Sequence, residues 1–212
     1  MDNLTSIYDA AFFSEWGRRN ADYVRSAEIV ARAVHETFWP KSLADVGCGC
    51  GVYSHLFTER GVKVLSIDGV LPPPEESFPA QIELRDLTIP FENIWGPFDL
   101  TLCLEVAEHI PPADCDTFLD NLVRFGDRVA LSAAPPFQGG HHHVNEQPKR
   151  YWVEKLAARG FAYDRPATGR LVERLKADRP PFMWMGQHIS IYQKAGAGFP
   201  MKQDLPFENR MV

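Results

Sequence analysis

Apolar and polar positions alternate along the chain in patterns that predict one long helix followed by short buried strands. In the stretch from Tyr23 to Phe38 the apolar side chains recur every three or four residues, which places them on one face of a helix that ends before Pro40. The next run, from Ser42 to Val46, is short and apolar, and Gly47 follows it directly. This arrangement is typical of a buried strand that leads into a tight turn.

Strands and helices continue to alternate along the rest of the chain. The pattern predicts strands over 63–67, 81–84, 98–104 and 128–133, helices over 53–60, 112–125 and 151–159, and a closing antiparallel pair over 161–164 and 187–193. Such alternation favours a parallel sheet covered by helices on both faces, and ligands bind these sheets beyond the carboxyl ends of the strands. We expect one domain over 1–194 and a C-terminal tail over 195–212, which is rich in Gly, Pro and polar residues.

Composition narrows the class of protein. The chain has 212 residues and 45% hydrophobic content, which suits a single core. Its net charge of -6 argues against binding to nucleic acid, because such binding draws on clustered Lys and Arg. The first residues lack a basic start and an apolar run, so we expect no secretory signal, no membrane span and a cytoplasmic protein. The oligomeric state is left open. The layout of the cysteines predicts reduced thiols at Cys48, Cys50, Cys103 and Cys115.

A glycine-rich loop follows the first predicted strand and precedes a predicted helix. It runs from Asp45 to Gly51 and holds three glycines, which permit positive φ angles and the close approach of a ligand to the backbone. A dinucleotide fingerprint needs glycine at its first, third and sixth positions, and here the sixth is Val52. NAD is therefore the weaker choice of cofactor. Taken alone, the loop also suits a tight connection in any α/β protein.

Acidic residues follow the next two strands. Asp68 lies about twenty residues beyond the loop, at a strand end where a carboxylate can accept hydrogen bonds from both hydroxyls of a ribose. Asp86 follows the third strand and can accept a hydrogen bond from an adenine amine, with Leu87 offering a backbone N–H and an apolar wall. Each acid alone also suits a solvated turn. Together they favour a bound nucleoside.

These features resemble the class I S-adenosylmethionine-dependent methyltransferases. The resemblance lies in the loop 45–51, in Asp68, in the pair Asp86-Leu87 and in the segment from Phe98 to His109. It implies a Rossmann-like α/β fold with a seven-stranded, mostly parallel sheet, helices on both faces and an antiparallel last strand. It also implies S-adenosylmethionine as cofactor, a loop supported by Asp45, and Glu105 near the methionine moiety. The predicted cofactor-binding residues are Asp45, Gly47, Cys48, Gly49, Gly51, Asp68, Gly69, Asp86, Leu87 and Glu105.

Two further segments bear on the acceptor and on the closure of the site. The stretch from Gly139 to Glu146, followed by Tyr151-Trp152, is similar to a subgroup of small-molecule methyltransferases, which implies a small-molecule methyl acceptor. In the family an N-terminal segment often covers the cofactor, so residues 1–40 are expected to act as a helical lid. Tyr8 and Trp16 are expected to help close the site. The large side chains expected either to line the acceptor pocket or to pack in the core are Trp152, Phe182, Met183 and Trp184.

Histidine is the natural base for a hydroxyl acceptor, because its ordinary pKa lies near the working pH. His143 leads over His109 and His188, since it lies in a glycine-rich loop with Asn145 and Glu146 nearby to orient it. The predicted catalytic set is His143, His109 and Glu108. We interpret His141 and His142 as a solvated polar loop.

A divalent metal ion is a second possibility at the end of the fourth strand. If Glu105, Glu108 and His109 lie on one helical turn, they share a face and can gather around an ion. The set resembles the magnesium site of the ubiquinone-pathway O-methyltransferases, which implies Mg²⁺. The interpretation that these residues only brace the loop is favoured over it.

The sequence thus predicts O-methylation of a hydroxyl on a small molecule, such as a sugar or a natural product. The alternatives are N-methylation of a small-molecule amine, a non-catalytic regulatory protein that binds S-adenosylmethionine, and an oxidoreductase with a dinucleotide. Methylation of a base or of glutamine nitrogen is disfavoured, because Leu104 to Ala107 stand where an Asn/Asp-Pro-Pro-aromatic motif is expected.

Overall fold

The computed structural model describes residues 4–182 and 184–196. Met183, which was a candidate for the acceptor pocket, and the expected tail beyond residue 196 lie outside this part. The helices are α1 Leu4–Ile7, α2 Ala10–Glu15, α3 Ala21–Phe38, α4 Val52–Thr58, α5 Cys115–Leu122, α6 Lys149–Ala157, α7 Arg165–Asp178 and α8 Trp184–Gln187. The strands are β1 Ser42–Val46, β2 Lys63–Asp68, β3 Ile82–Leu84, β4 Leu100–Leu104, β5 Arg128–Ser132, β6 Phe161–Tyr163 and β7 Ser190–Lys194.

The seven strands form one sheet in the order β3-β2-β1-β4-β5-β7-β6. The first five run parallel to their neighbours, while β7 is antiparallel to both β5 and β6. This order confirms the predicted fold class, including the antiparallel last strand. Because β1, β2, β4 and β5 are parallel, the loops that follow them gather at one edge of the sheet, where ligands bind in folds of this kind.

The core has two halves, one on each face of the sheet. On one face, α3 buries Ala27, Val30 and Val34 against a cluster that includes Leu171 and Leu175 of α7. On the other face, α5 and α6 pack against the sheet through a cluster centred on aromatic and leucine side chains. Burying one such side chain fully stabilises the fold by about 1.5–3 kcal/mol. The predicted coverage of both faces is confirmed.

Some predicted boundaries are wrong by a few residues. The fourth strand begins at Leu100 and not at Phe98, which forms only an isolated bridge with Gly126. The helix predicted over 112–125 is shorter, Cys115–Leu122, because Pro111 and Pro112 belong to the turn before it. The segment after β4 forms only a single 3-10 turn, Ala107–His109, and not the helix on which the predicted metal set depended.

Helix α7 is absent from the sequence prediction. Pro166 and Gly169 break its apolar pattern, but proline is compatible with the first helical turn, where its missing N–H has no partner to lose. The side chain of Asp164 accepts a hydrogen bond from the Ala167 N–H at 2.9 Å and caps this helix. All four cysteines are buried and free, as predicted. Among the described residues, no helix is both long enough and apolar enough to cross a membrane.

Candidate active site

The loop after β1 turns sharply on glycines in the left-handed region. Gly47 has a φ of 78° and Gly49 a φ of 54°. A Cβ atom on Gly47 would lie 2.8 Å from Cγ1 of Val106, whereas one on Gly49 would meet nothing within 4 Å. Gly47 is therefore required by packing, and Gly49 presents bare backbone to open space.

Two carboxylates accept hydrogen bonds from this loop and from the helix that follows it. Oδ2 of Asp68 accepts a hydrogen bond from the Gly49 N–H at 2.8 Å, and its Oδ1 accepts one from the Val70 N–H at 3.0 Å. Oδ2 of Asp45 accepts one from the Ser54 hydroxyl at 2.7 Å. Burial raises the pKa of Asp68, and it raises the pKa of Asp45 to about 7. An ionised carboxylate offers about four lone pairs, so Asp68 can accept further bonds from a ligand.

A cavity of about 660 Å³ opens beside the loop, a volume within the usual range for small-molecule sites. Four parts of the chain surround it: the glycine-rich loop, the turn after β4, the loop after β5 and the aromatic N-terminal segment. The lining residues used below are Phe12, Trp16, Gly47, Cys48, Gly49, Glu105, Glu108, His109, Phe137, Gly140, His141, His143 and Trp184. The structure thus brings Gly47, Cys48, Gly49 and Glu105 of the predicted cofactor set to one surface, together with all three predicted catalytic residues.

The other predicted cofactor residues do not line this cavity. Gly69 packs against Leu4 of α1, whose Cδ1 lies 3.1 Å from the place of a Cβ on the glycine. Oδ1 of Asp86 accepts hydrogen bonds from the N–H and the hydroxyl of Thr88, at 2.9 and 2.6 Å. Leu87 is buried in the core, where its carbonyl accepts a bond from Asn121. Asp45, Gly51 and Asp68 do not line the cavity either.

Two acidic side chains stand close together at the end of β4. Glu105 adopts a left-handed φ of 55°, and its N–H donates to the Ser132 carbonyl at 3.2 Å. Burial raises the pKa of Glu105 to about 7. Burial, together with the neighbouring charge of Glu105, holds the pKa of Glu108 well above its usual range. Two carboxyl groups this close and this buried need either a shared proton or a cation beside them.

His109 follows these acids and is neutral at pH 7. Burial lowers its pKa to about 4, and the nearby imidazole of His143 acts in the same direction. The two rings meet edge to face with their centroids 5.0 Å apart. Nδ1 of His109 and both carboxylate oxygens of Glu108 are buried and make no well-formed hydrogen bond with the described residues.

Glu146 orients His143. Its Oε1 lies 3.0 Å from Nδ1 of His143 and accepts a hydrogen bond from the Gly139 N–H at 2.6 Å, while its Oε2 accepts one from the Phe137 N–H at 2.8 Å. Nε2 of His143 lies beside Gly140, and both residues line the cavity. Asn145, the other residue expected to orient this ring, is buried and accepts a bond from Gln147 instead.

The N-terminal segment lines part of the cavity. Tyr8 contacts the rings of Phe12, His109 and His141, with centroids 5.0, 5.7 and 6.2 Å away. A ring nitrogen of His141 lies 2.7 Å from the Ile7 carbonyl oxygen. His141 is exposed, but it is not the freely solvated residue that the sequence predicted. No local pattern announces this contact, because its partners are 134 positions apart.

The aromatic candidates for the acceptor pocket divide into two groups. Trp184 lines the cavity and meets Trp16, which was expected to help close the site, edge to face with their centroids 5.6 Å apart. Trp152 is buried among the core residues beneath α6, and Phe182 packs beside the core that contains α3. The interpretation of Trp152 as a core residue is therefore confirmed.

Comparison with known proteins places this geometry in context. No protein-family model matches the chain. It is 33% identical over 127 residues to a ubiquinone biosynthesis O-methyltransferase of Pseudomonas paraeruginosa, over 56% of this chain and 50% of that protein. The chain thus spans about half the length of the curated relatives it matches.

Solved structures resemble the chain over more of its length. It aligns with the Burkholderia thailandensis 1,6-didemethyltoxoflavin-N1-methyltransferase, solved with 1,6-didemethyltoxoflavin and S-adenosylhomocysteine bound, at a TM-score of 0.60 and 17% identity, over 92% of this chain and 90% of that one. It also aligns with the [4+2]-cyclase SpnF at a TM-score of 0.56 and 15% identity, over 94% and 95% of the two chains. Identities this low establish the shared fold and nothing more.

Proposed function

We propose that this chain, which has the fold of the class I S-adenosylmethionine-dependent methyltransferases, moves a methyl group from S-adenosylmethionine to a hydroxyl group on a small molecule. One observation carries the proposal: the cavity has the bare backbone of Gly49 on one wall and the ring of His143, whose Nδ1 lies 3.0 Å from Oε1 of Glu146, on another. The first wall suits a nucleoside, and the second suits an acceptor that must lose a proton.

The cofactor is placed along the ends of the parallel strands. Asp68 accepts hydrogen bonds from the ribose hydroxyls with the lone pairs that Gly49 and Val70 leave free. Glu105, at the end of β4, faces the positively charged methionine moiety. Asp86 and Leu87 remain the predicted adenine partners, although Asp86 now bonds Thr88 and Leu87 lies in the core.

The reaction is an in-line displacement. A lone pair of the acceptor oxygen forms a bond to the methyl carbon, the carbon–sulfur bond breaks, and its electron pair stays on sulfur, which yields S-adenosylhomocysteine. The acceptor's proton moves to Nε2 of His143, while Glu146 holds Nδ1–H. Holding the two reactants in line lowers the activation barrier by up to roughly 7–11 kcal/mol in favourable systems. The base raises the rate of the reaction by roughly 100- to 10,000-fold.

The relatives support the small-molecule acceptor without naming it. The matched half of the ubiquinone biosynthesis enzyme belongs to an O-methyltransferase. The toxoflavin enzyme, in contrast, is an N1-methyltransferase, so N-methylation of an amine stays the nearest alternative. SpnF has the same fold but is named as a cyclase and not as a methyltransferase. A binding protein that transfers no methyl group is therefore the second candidate.

A transfer assay with methyl-labelled S-adenosylmethionine tests the proposal. The purified chain is incubated with panels of phenols, sugars and amines, and formation of S-adenosylhomocysteine and of labelled product is followed. We expect label on an oxygen. Calorimetry with S-adenosylhomocysteine and with NAD runs beside it. Binding of S-adenosylhomocysteine without transfer to any acceptor would favour the non-catalytic candidate, and binding of NAD alone would overturn the assignment.

A further inference from the structure

Glu76 is a buried carboxylate in the proline-rich segment between β2 and β3. The residue is only 1% exposed, although its neighbours Pro74 and Glu75 are exposed. Moving a carboxylate out of water is costly unless charged and hydrogen-bonding partners compensate for the lost hydration. The partners of Glu76 therefore indicate which part of the structure this side chain holds in place.

The carboxylate of Glu76 binds the turn between α2 and α3. Its Oε1 accepts a hydrogen bond from Nε of Arg19 and forms an ion pair with Nη2 of the same guanidinium group. Its Oε2 accepts a hydrogen bond from the Arg19 N–H at 3.2 Å, and the Glu76 carbonyl accepts one from the Arg18 N–H at 2.9 Å. Desolvation offsets much of the attraction in such a pair, so its main effect is to favour one arrangement of the parts that it joins.

Gly17 allows the turn to approach this carboxylate closely. A Cβ atom on Gly17 would lie 2.6 Å from Oε2 of Glu76 and would also overlap the carbonyl oxygen of Phe13. Gly17 is itself buried, although Arg18 and Arg19 beside it are exposed. The contact is therefore fixed by close packing as well as by charge.

The turn directly follows aromatic side chains of the candidate active site. Phe12 and Phe13 belong to α2, and Trp16 is the C-cap residue of this helix. All three line the cavity. Helices α1 and α2 have only four and six residues, and helices this short are not stable in isolation. The position of these aromatic side chains therefore depends on contacts with the rest of the chain, of which the pair between Arg19 and Glu76 is one.

The segment that carries Glu76 is also bound to the cofactor side of the site. It begins after Asp68, which accepts a hydrogen bond from the Val70 N–H at 3.0 Å. It meets the glycine-rich loop at Phe78, whose N–H donates to the Cys50 carbonyl at 2.8 Å. Because Glu76 lies between these two contacts, it joins the aromatic N-terminal segment to the two elements that the proposed function assigns to the cofactor.

We infer that Glu76 is a positioning residue, which holds Trp16 and its aromatic neighbours against the cofactor side of the cavity through its contacts with Arg19. The inference rests on the proposed function and adds a residue to the same site. Glu76 does not line the cavity, so it acts through the N-terminal segment and not by touching donor or acceptor. Its loss should weaken the binding of ligands and leave the rate at saturating concentrations nearly unchanged.

The first test uses hydrogen exchange of the full chain, followed by mass spectrometry, without any ligand. Glu76→Gln keeps the size of the side chain but replaces one acceptor oxygen with a donor. We expect the amides of residues 10–16 to exchange roughly 2- to 10-fold faster in this variant, while those of α3 are unchanged. Glu75→Gln is the matched control, because this neighbour carries the same charge and is exposed. Equal exchange of residues 10–16 in Glu76→Gln and in the natural chain would overturn the inference.

The second test measures the affinity for S-adenosylhomocysteine by calorimetry. Glu76→Gln and Arg19→Gln are each expected to raise its Kd roughly 2- to 10-fold, and the double variant to raise it no further, since either change already breaks the pair. Glu36→Gln is the control for the loss of an ion pair, because Glu36 pairs with Arg174 away from the cavity. Unchanged Kd in both single variants, or losses that multiply in the double variant, would refute the role of the pair.

A positioning role also differs from a purely structural one in the kinetics. In the transfer assay, KM for S-adenosylmethionine should rise with the Kd in Glu76→Gln, while kcat stays within about 2-fold. Arg19→Lys keeps the charge but not the planar fork, so it should give a Kd between those of Arg19→Gln and the natural chain. Circular dichroism checks that each variant is folded, and Arg19→Lys replaces Glu76→Gln if the latter is not. A loss of stability with unchanged Kd and KM would show that the pair serves the fold alone.

The two proposals fail separately. A natural chain that binds no S-adenosylhomocysteine loses the proposed function, while the exchange of residues 10–16 still decides whether Glu76 holds the N-terminal segment. A chain that transfers methyl groups with the same KM in Glu76→Gln keeps the function and loses the positioning residue.

Discussion

A ring nitrogen of His141 lies 2.7 Å from the carbonyl oxygen of Ile7, which ties the loop after β5 to the N-terminal helix α1. The same ring packs against Phe12, with centroids 5.3 Å apart. Residues of both segments line the cavity, and this contact joins them. If the N-terminal segment acts as the predicted lid, a bound ligand leaves faster when this contact is removed.

His141→Ala is predicted to speed the release of S-adenosylhomocysteine. One neutral hydrogen bond contributes about 0.5–1.5 kcal/mol, so we expect a roughly 2- to 10-fold faster dissociation rate, measured by stopped-flow fluorescence. His142→Asn is the matched control, because asparagine tolerates the left-handed φ of 54° at this position. Equal effects of the two substitutions would contradict the role given to His141.

Asp68→Asn is predicted to weaken cofactor binding. The amide keeps the shape of the side chain and one acceptor oxygen for the Gly49 N–H, but it removes the charge and the acceptors meant for the ribose. Hydrogen bonds to a charged group contribute about 1.5–3 kcal/mol, which predicts a roughly 10- to 100-fold rise in Kd by calorimetry. Unchanged affinity in this variant would rule out the ribose contact.

Gly49→Ala is predicted to block the cofactor without damaging the fold beyond backbone strain. Gly61→Ala is the matched control, because Gly61 also has a positive φ and open space around it, but it lies far from the cavity. Alanine in this region costs about 1–2 kcal/mol, so both variants should lose similar stability in urea. Only Gly49→Ala should lose affinity for S-adenosylhomocysteine. Equal affinity in the two variants would show that no ligand approaches Gly49.

His143→Ala is predicted to lower kcat by roughly 100- to 10,000-fold while the Kd for S-adenosylmethionine stays unchanged. Under the proposed function this side chain contacts the acceptor and not the donor, so the affinity for the donor should be unaffected by its loss. His55→Ala controls for a general effect of histidine removal, since His55 stacks on Phe78 away from the cavity. Full turnover in His143→Ala would exclude this residue from the reaction.

Asp45→Asn is predicted to flatten the pH dependence of stability. Burial raises the pKa of Asp45 from 3.8 to about 7, so the folded state binds its proton more tightly than the unfolded chain does. This contribution is fully present below about pH 4 and is lost as the pH rises toward 7. The variant should therefore gain stability relative to the natural chain across this range, as measured by urea unfolding. A difference that is constant with pH would contradict the raised pKa.

Several strands were predictable because they are short apolar runs that end in a glycine or an acid, as at Gly47 and Asp68. The same rule placed Gly49, Glu105 and Glu108 at one edge of the sheet. The contacts of Glu146 and His141 were not all predictable, since hydrogen bonds between loops depend on how the loops fold back. The pattern grouped Glu105 with Glu108 and His109 because it assumed a helix, whereas the chain forms a single 3-10 turn there, and polar atoms of Glu108, His109 and His143 lie within 4.8 Å of one another.

Glu146 contacts two residues of the cavity lining. It accepts a hydrogen bond from the N–H of Phe137, which is 100% exposed, and it also orients the ring of His143. A change of sequence that reshapes the rim to admit another acceptor will therefore disturb the imidazole as well. Under the proposed function, selectivity and rate are coupled through one carboxylate, and attempts to broaden the range of acceptors should begin at Trp16 or Trp184, which meet each other elsewhere on the cavity lining.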